Sequence, residues 1–264
     1  MKKIVIAGLL SLTLALPTQV SAWGLTGHRI VGEIADRHLT PKARAAIKKI
    51  LGFESIAMAS NWADFVKSDT SYKYLDSWHY VNIPSGLDRP GFDAFLVSER
   101  NTPNIHNKTL EMMGILKDPR STVSQKQMAM RLLIHFVGDL HQPMHTGRKE
   151  DLGGNRVTVS WFNDKTNLHS LWDSKLIDFQ QLSYTEYATA INHTSPIQLV
   201  NLKQSTLEDA IYDSYLASNH IYANTVANTN LNFNYNFKYL ELMNTQLRNG
   251  GIRLAAMLNN LYAR

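Results

Sequence analysis

Apolar positions along this chain recur mostly at intervals of three and four, the spacing of one helix face. After His28, the residues Ile30, Val31, Ile34, Ala35 and Leu39 predict an amphipathic helix. Thr40-Pro41 predicts the start of another, with threonine as N-cap and proline in the first helical position. Its stripe is Ala43, Ala46, Ile47, Ile50 and Leu51, and Gly52 closes it. Ser85 to Pro90 is rich in turn residues and predicts a loop. Residues 124–140 predict a helix that buries Met128, Leu132, Leu133, Phe136 and Val137, interrupted at Gln142-Pro143. The period then changes. Val157, Val159 and Trp161 alternate with Thr158, Ser160 and Phe162, so 156–162 reads as a short strand and half of a small hairpin. A helix carrying His169 and Asp173 follows. Ser205-Thr206-Leu207-Glu208 has the form of a capping sequence before a helix to about Thr225. Asn228 to Asn236 reads as an extended surface loop, because Leu231, Phe233, Tyr235 and Phe237 alternate. Residues 238–262 read as a closing amphipathic helix. With no internal repeat and no linker, the expected fold is mainly α: a single-domain multi-helix bundle with a small β-hairpin.

The first residues follow a different pattern. Lys2 and Lys3 precede an apolar run from Ile4 to Leu16, and Val20-Ser21-Ala22 supplies small residues. That is the layout of a secretory signal peptide cut after Ala22. The run is too short to span a bilayer comfortably, which takes about 20 residues. The expected organisation is a cleaved segment, 1–22, and one soluble domain, 23–264, of 242 residues (264 − 22). That length can bury a sizeable core. The chain has no cysteine, so an exported domain must be held by packing, by metals, or by both. The expected location is secreted or periplasmic in a bacterium, with neither a membrane nor an obligate protein partner and with a monomeric state. The formal charge of +5 becomes +3 once Lys2 and Lys3 are gone. That permits an anionic substrate, and no Lys/Arg block forms a nucleic-acid-binding arm.

The chemistry is concentrated in His135, Asp139, His145, His169 and Asp173, five nitrogen or oxygen donors in 39 residues. Two pairs, His135/Asp139 and His169/Asp173, are four apart, which on a helix puts both side chains on one face about 6 Å apart. Asp64 lies in Asn61-Trp62-Ala63-Asp64 and His79 in Ser77-Trp78-His79-Tyr80. Without cysteine, this donor set points to zinc first, with manganese or iron left open. Seven such side chains are enough for two ions, a recurring arrangement for hydrolysing phosphate esters.

These blocks together resemble the S-one/P-one type of zinc-dependent single-strand nucleases, a family similar to zinc phospholipases C. The resemblance rests on Trp23-Gly24-Leu25-Thr26-Gly27-His28, Leu39-Thr40-Pro41, Trp62-Ala63-Asp64 and Trp78-His79-Tyr80. It continues through His135-Phe136-Val137-Gly138-Asp139, Gln142-Pro143-Met144-His145, Gly153-Gly154-Asn155 and Asn167 to Asp173. It implies three Zn²⁺ ions. Asp64, His79, His135 and Asp139 would hold the first, and His145, His169 and Asp173 the second. Trp23, through its α-amino group and carbonyl, would hold the third with His28 and Asp139. An amino group ligates only as a free, deprotonated chain end, which the cut after Ala22 would create. The implied reaction is hydrolysis of single-stranded DNA and RNA to 5′-phosphates by zinc-activated hydroxide, with 3′-nucleotidase activity as a further candidate.

The resemblance also assigns Lys67 to the phosphate, Tyr80 to stacking on a base and Asn155 to a base contact; Asn82 departs from the fungal members, which have at that position an aspartate that contacts the base edge, so a different base preference is expected. Arg148 and Lys149 are loop cations that could meet phosphates. From the residues alone other readings stand beside these: a solvated lysine, a packed tyrosine, a turn asparagine. His141 fits no zinc set and is expected in a second layer or at the surface. Two alternative functions remain at this stage, a zinc phospholipase C and a non-catalytic secreted zinc-binding protein.

Overall fold

The computed structural model describes residues 23–263, so the expected signal peptide over 1–22 lies outside the described residues. The first two helices form where the apolar spacing predicts them, the second with its predicted caps. Helix α1 is Leu25–Arg37 and α2 is Pro41–Leu51, whose N-cap Thr40 accepts from the Ala43 amide at 3.2 Å. Gly52 ends α2 with φ of 68°, a left-handed conformation that glycine adopts without a Cβ clash. Two short turns, α3 (Ile56–Ala59) and α4 (Trp62–Phe65), lead to a 3-10 stretch, Thr70–His79. Helices α5 (Arg89–Ser98) and α6 (Ile105–Lys117) follow.

Helix α7, Val123–Leu140, is the axis of the fold. A capping box between Thr122 and Gln125 starts it, and every residue from Leu132 to Leu140 is buried. A helix apolar on all sides must be surrounded, and α7 packs against α1, α2, α4 and α6. Strands β1 (Thr158–Trp161) and β2 (Asp164–Asn167) form the expected antiparallel hairpin, with Thr158 opposite Asn167. His169 lies on a helical segment broken into α8 (Leu168–Ser170), a π-turn (Leu171–Lys175) and α9 (Leu176–Asp178). Helices α10 (Tyr184–Ile191), α11 (Pro196–Gln204) and α12 (Leu207–Asn224) complete the outer layer.

Two sequence expectations shift. The cap of α12 is Thr206 with Asp209, one residue later than Ser205 with Glu208. Ser205 instead ends α11 and accepts from Arg253 Nε at 2.9 Å. The segment 228–236 is not a loop throughout. Asn230–Leu231 forms β3, parallel to β1, and Asn232 caps α13, Phe233–Leu261, through its side chain and the Asn234 amide at 3.1 Å. The alternation of Phe233, Tyr235 and Phe237 is a helical pattern seen over too few residues. Tyr235 and Tyr239, four apart, are buried, whereas Phe233 and Phe237, also four apart, are exposed. Helix α13 then crosses α1 closely, because a Cβ on Gly251 would sit 2.5 Å from the Ile34 side chain. That crossing brings the segment holding Trp23 and His28 over α7.

Candidate metal centre

Side chains from five separate segments converge beside α7. Asp64 comes from α4, His79 from the end of the 3-10 stretch, His28 from α1, and His135 and Asp139 from α7 itself. His145 lies in a short 3-10 turn, Pro143–Thr146, that Gln142 caps, and His169 and Asp173 come from α8 and the π-turn. Three groups have donor atoms all within 4.8 Å of one another: His28/His135/Asp139, Asp64/His79/His135 and His145/His169/Asp173. All of these residues are buried except Asp64, which is partly so.

Backbone carbonyls set the tautomers. His135 Nδ1 lies 2.6 Å from Ser60 O, His145 Nδ1 lies 2.6 Å from His79 O, and His169 Nδ1 lies 2.6 Å from Gly153 O. A carbonyl only accepts, so each Nδ1 carries a hydrogen and each Nε2 points inward, where the neutral imidazole offers a lone pair. His135 Nε2 then faces His79 Nδ1 at 3.0 Å and Asp139 Oδ2 at 3.1 Å, and His79 Nδ1 lies 2.9 Å from that same oxygen. The other carboxylate oxygen, Oδ1, is 3.2 Å from His28 Nε2. Those two atoms are close but not aligned for a hydrogen bond, and each is buried without a hydrogen-bond partner among the described residues. The same is true of His145 Nε2 and His169 Nε2. In the third group, Asp173 lies 3.1 Å from His169 Nε2 and 3.8 Å from His145 Nε2.

Buried nitrogen and oxygen atoms left without a hydrogen-bond partner, as His28 Nε2, Asp139 Oδ1, His145 Nε2 and His169 Nε2 are, cost free energy unless something else satisfies them. Imidazole nitrogens and carboxylate oxygens are the donors zinc takes, so this set fits divalent zinc. Ionisation follows. Burial alone would raise the Asp139 pKa, but His135 and His145 overcome it and hold the carboxyl well below its ordinary value. Asp64 is likewise held low against burial by His135 and Lys67. Burial, then Lys67, lowers His79 to about 4, so it stays neutral.

Glycine at position 138 is a steric requirement. A Cβ there would lie 2.6 Å from His28 Nδ1, so only glycine lets the His28 ring lie against α7 and stack on His135 at 4.0 Å. Trp23 is fully buried, and the Gly24 amide donates to Asp173 O at 2.6 Å, tying the N-terminal segment to the π-turn.

The expected substrate residues surround this centre unevenly. Lys67 is not a solvated lysine: its ammonium donates to Asp64 Oδ1 at 2.6 Å and is mostly buried. Tyr80 does not pack in the core; its side chain is 41% exposed beside His79. Asn82 is half-buried between Val81 and Ile83, whose amides donate to His145 O at 2.9 Å and Gly147 O at 3.1 Å. Asn155 acts as a turn residue, donating to Leu152 O at 2.8 Å. Arg148 stacks on Tyr222 at 4.3 Å, while Lys149 is exposed. Arg148 and Asn155 flank the turn whose Gly153 carbonyl orients His169.

Sequence reading passed over Gln142, whose side-chain amide donates to Asp173 Oδ1 and accepts from the Met144 amide at 2.5 Å. Its signal was present: a polar residue inside an otherwise apolar, ligand-rich run. His141 is not at the surface. It is fully buried, with Nδ1 on Val137 O at 2.8 Å and Nε2 facing Arg253 Nη1 at 3.2 Å. Burial and Arg253 lower its pKa from 6.5 to about 3. The native state therefore lacks a proton that the unfolded chain takes up below pH 6.5. This contribution to stability is complete above that pH and is lost as pH falls toward 3, at up to about 1.4 kcal/mol per pH unit. Denaturant unfolding of His141→Gln should show a flatter slope than the parent between pH 6 and 4; equal slopes would refute this account.

The chain matches the family described as S1/P1 Nuclease over residues 23–263. It is 30% identical to Endonuclease 5 of Arabidopsis thaliana, over 91% of this chain and 90% of that one. It is 30% identical to Nuclease P1 of Penicillium citrinum, over 62% of this chain and 63% of that one. Nuclease S1 of Aspergillus oryzae is 27% identical, over 62% and 58%.

Proposed function

Because the chain belongs to the S1/P1 nuclease family and is a phosphodiester-hydrolysing nuclease, we propose that its buried His/Asp cluster is the hydrolytic centre and holds three zinc ions. The supporting observation is the convergence of three donor groups whose ligand atoms lie within 4.8 Å of one another, with His28 Nε2, His79 Nε2, Asp139 Oδ1, His145 Nε2 and His169 Nε2 buried and lacking a hydrogen-bond partner among the described residues. Asp64, His79, His135 and Asp139 would hold one ion, and His145, His169 and Asp173 another. His28 and Asp139 would hold a third with the amino group and carbonyl of Trp23. Zinc held by these donors supplies a Lewis acid for a phosphoryl oxygen and lowers the pKa of nearby water toward neutrality.

The chain's own residues do the rest. Asp139 presents one carboxylate oxygen to His79 and His135 and the other to His28, so it links two groups. Lys67 keeps Asp64 ionised and adds a cation at the edge of the centre, suited to a phosphate. Tyr80 offers an exposed ring on which a base can stack, which suits single strands because every base has a π-face. Asn82 and Asn155 are the candidate base-edge contacts, and Arg148 the phosphate contact on that side. The substrates are single-stranded DNA and RNA, with 3′-phosphate removal from nucleotides as an accompanying activity.

The test is nucleotide release from single-stranded DNA by the mature protein. Chelation should abolish it and Zn²⁺ restore it; hydrolysis that continued in chelator would overturn the reading. In the same assay Tyr80→Ala should raise KM by about 10–100-fold, the worth of one stacked base. The lysines, apolar run and small residues of 1–22 support export to the periplasm or medium with cleavage after Ala22, as a monomer of one domain over 23–264. Adding one residue before Trp23 should leave two ions per chain by metal analysis; three would disprove the role of the amino group.

A further inference from the structure

A cleft of about 550 Å³ opens between α5, α11, α12 and α13, and none of the candidate metal ligands lines it. Three guanidiniums do: Arg89, Arg248 and Arg253. Two are matched by carboxylates in the same cleft. Arg89 Nη1 donates to Asp209 Oδ1 at 2.7 Å, and Arg253 Nη2 pairs with Asp213 Oδ2. Arg248 has no carboxylate partner among the described residues. Its Nη2 reaches Thr245 Oγ1 at 3.3 Å, and its Nε is buried without an acceptor. Arg248 is therefore the guanidinium of this cleft that no carboxylate meets among the described residues, and it carries an unused, desolvated donor.

Arg253, only 4% exposed, lies at the base of this cleft. Its Nε is bonded to Ser205 Oγ and its Nη1 to His141 Nε2, so its plane is fixed. A guanidinium has five N–H donors, and these bonds with Asp213 leave some of them free. Arg89 uses Nε toward Asp93 and Nη1 toward Asp209, leaving Nη2. The opposite wall carries the amides of Gln198 and Asn201, which both donate and accept.

We propose that this cleft is a second anion site, remote from the metal centre, that binds a phosphate group on Arg248 with Arg89 and Arg253 beside it. The phosphate is either inorganic or the 5′-phosphate of a mononucleotide. Guanidinium forks suit a phosphate dianion, which offers three oxygens where a carboxylate offers two. The volume lies within the range of small-ligand pockets and admits a nucleotide. The Gln198 and Asn201 amides are then placed for sugar hydroxyls or a base edge. This goes beyond the nuclease reading and does not rest on it, since a chain that cut no nucleic acid would still bind phosphate here.

Calorimetric titration of the zinc-loaded protein with inorganic phosphate, AMP and adenosine tests it. AMP and phosphate should each show a binding site that Arg248→Gln weakens at least tenfold, while single-stranded DNA hydrolysis stays within about twofold of the parent. AMP binding more tightly than phosphate identifies the nucleotide as ligand, and equal affinities identify phosphate alone. Identical titrations for parent and Arg248→Gln, or adenosine binding here as well as AMP, would overturn the proposal. A backbone-amide NMR titration of the parent removes dependence on the variant. Phosphate should shift Thr245, Arg248 and Asn249, and unmoved resonances there would equally overturn it.

Discussion

Asp139→Ala is expected to lower kcat/KM on single-stranded DNA by at least about 10³-fold, or about 4 kcal/mol of transition-state stabilisation. Among the described residues its carboxylate alone has two oxygens that approach histidines of two different donor groups, His79 and His135 on one side and His28 on the other. Losing it also removes the negative charge that His135 and His145 face. Metal content should fall with activity. Lys67→Ala should cost less, about 10–100-fold, the usual loss when a group bonded to a ligand is removed. The direct contact of Lys67 with the centre is its bond to Asp64. Side-by-side kinetics and metal analysis of the two variants decide the matter, and a larger loss for Lys67→Ala would refute the linking role of Asp139.

Removing zinc should unfold the protein at much lower temperature. Free zinc at about 1,000 times its dissociation constant stabilises the native state by about 4 kcal/mol per site. For a domain of this size each kcal/mol moves Tm by about 2–4 °C. Several occupied sites therefore place the expected fall in tens of degrees. The chain has no cysteine and so no disulfide to share this load. The loss has a structural origin: without a cation, His135 Nε2 and His79 Nδ1 face each other at 3.0 Å beside Asp139, all buried. Scanning calorimetry with and without chelator measures it. A fall of under 5 °C would mean that packing alone holds the cluster together.

Much of the site could be read before any fold was known. The eight side chains that converge, His28, Asp64, His79, His135, Asp139, His145, His169 and Asp173, were all named from residue type and spacing or from the family resemblance. His135/Asp139 and His169/Asp173 show why. An i,i+4 pair is a local fact, and it survives even where the second helix is broken by a π-turn. His141 shows the opposite case. It sits between ligands in the chain, yet the helix end turns it away from them and onto Arg253, 112 residues later. Asn232 is similar: whether it continues an extended segment or caps a helix depends on which tyrosines find a core.

The sequence by itself determined the helical period, the caps of α2, the hairpin, and the inventory of donors, because each depends on residues within a few positions of one another. The tertiary structure alone decided which donors share a space, that Lys67 is held by Asp64, and that Arg248 is left unpaired in a cleft. It also decided the tautomers, because the carbonyls of Ser60, His79 and Gly153 that orient the histidines are backbone groups. Every residue carries such a carbonyl, so nothing in the residue type marks these three; only the packing of distant segments brings them to a ring nitrogen.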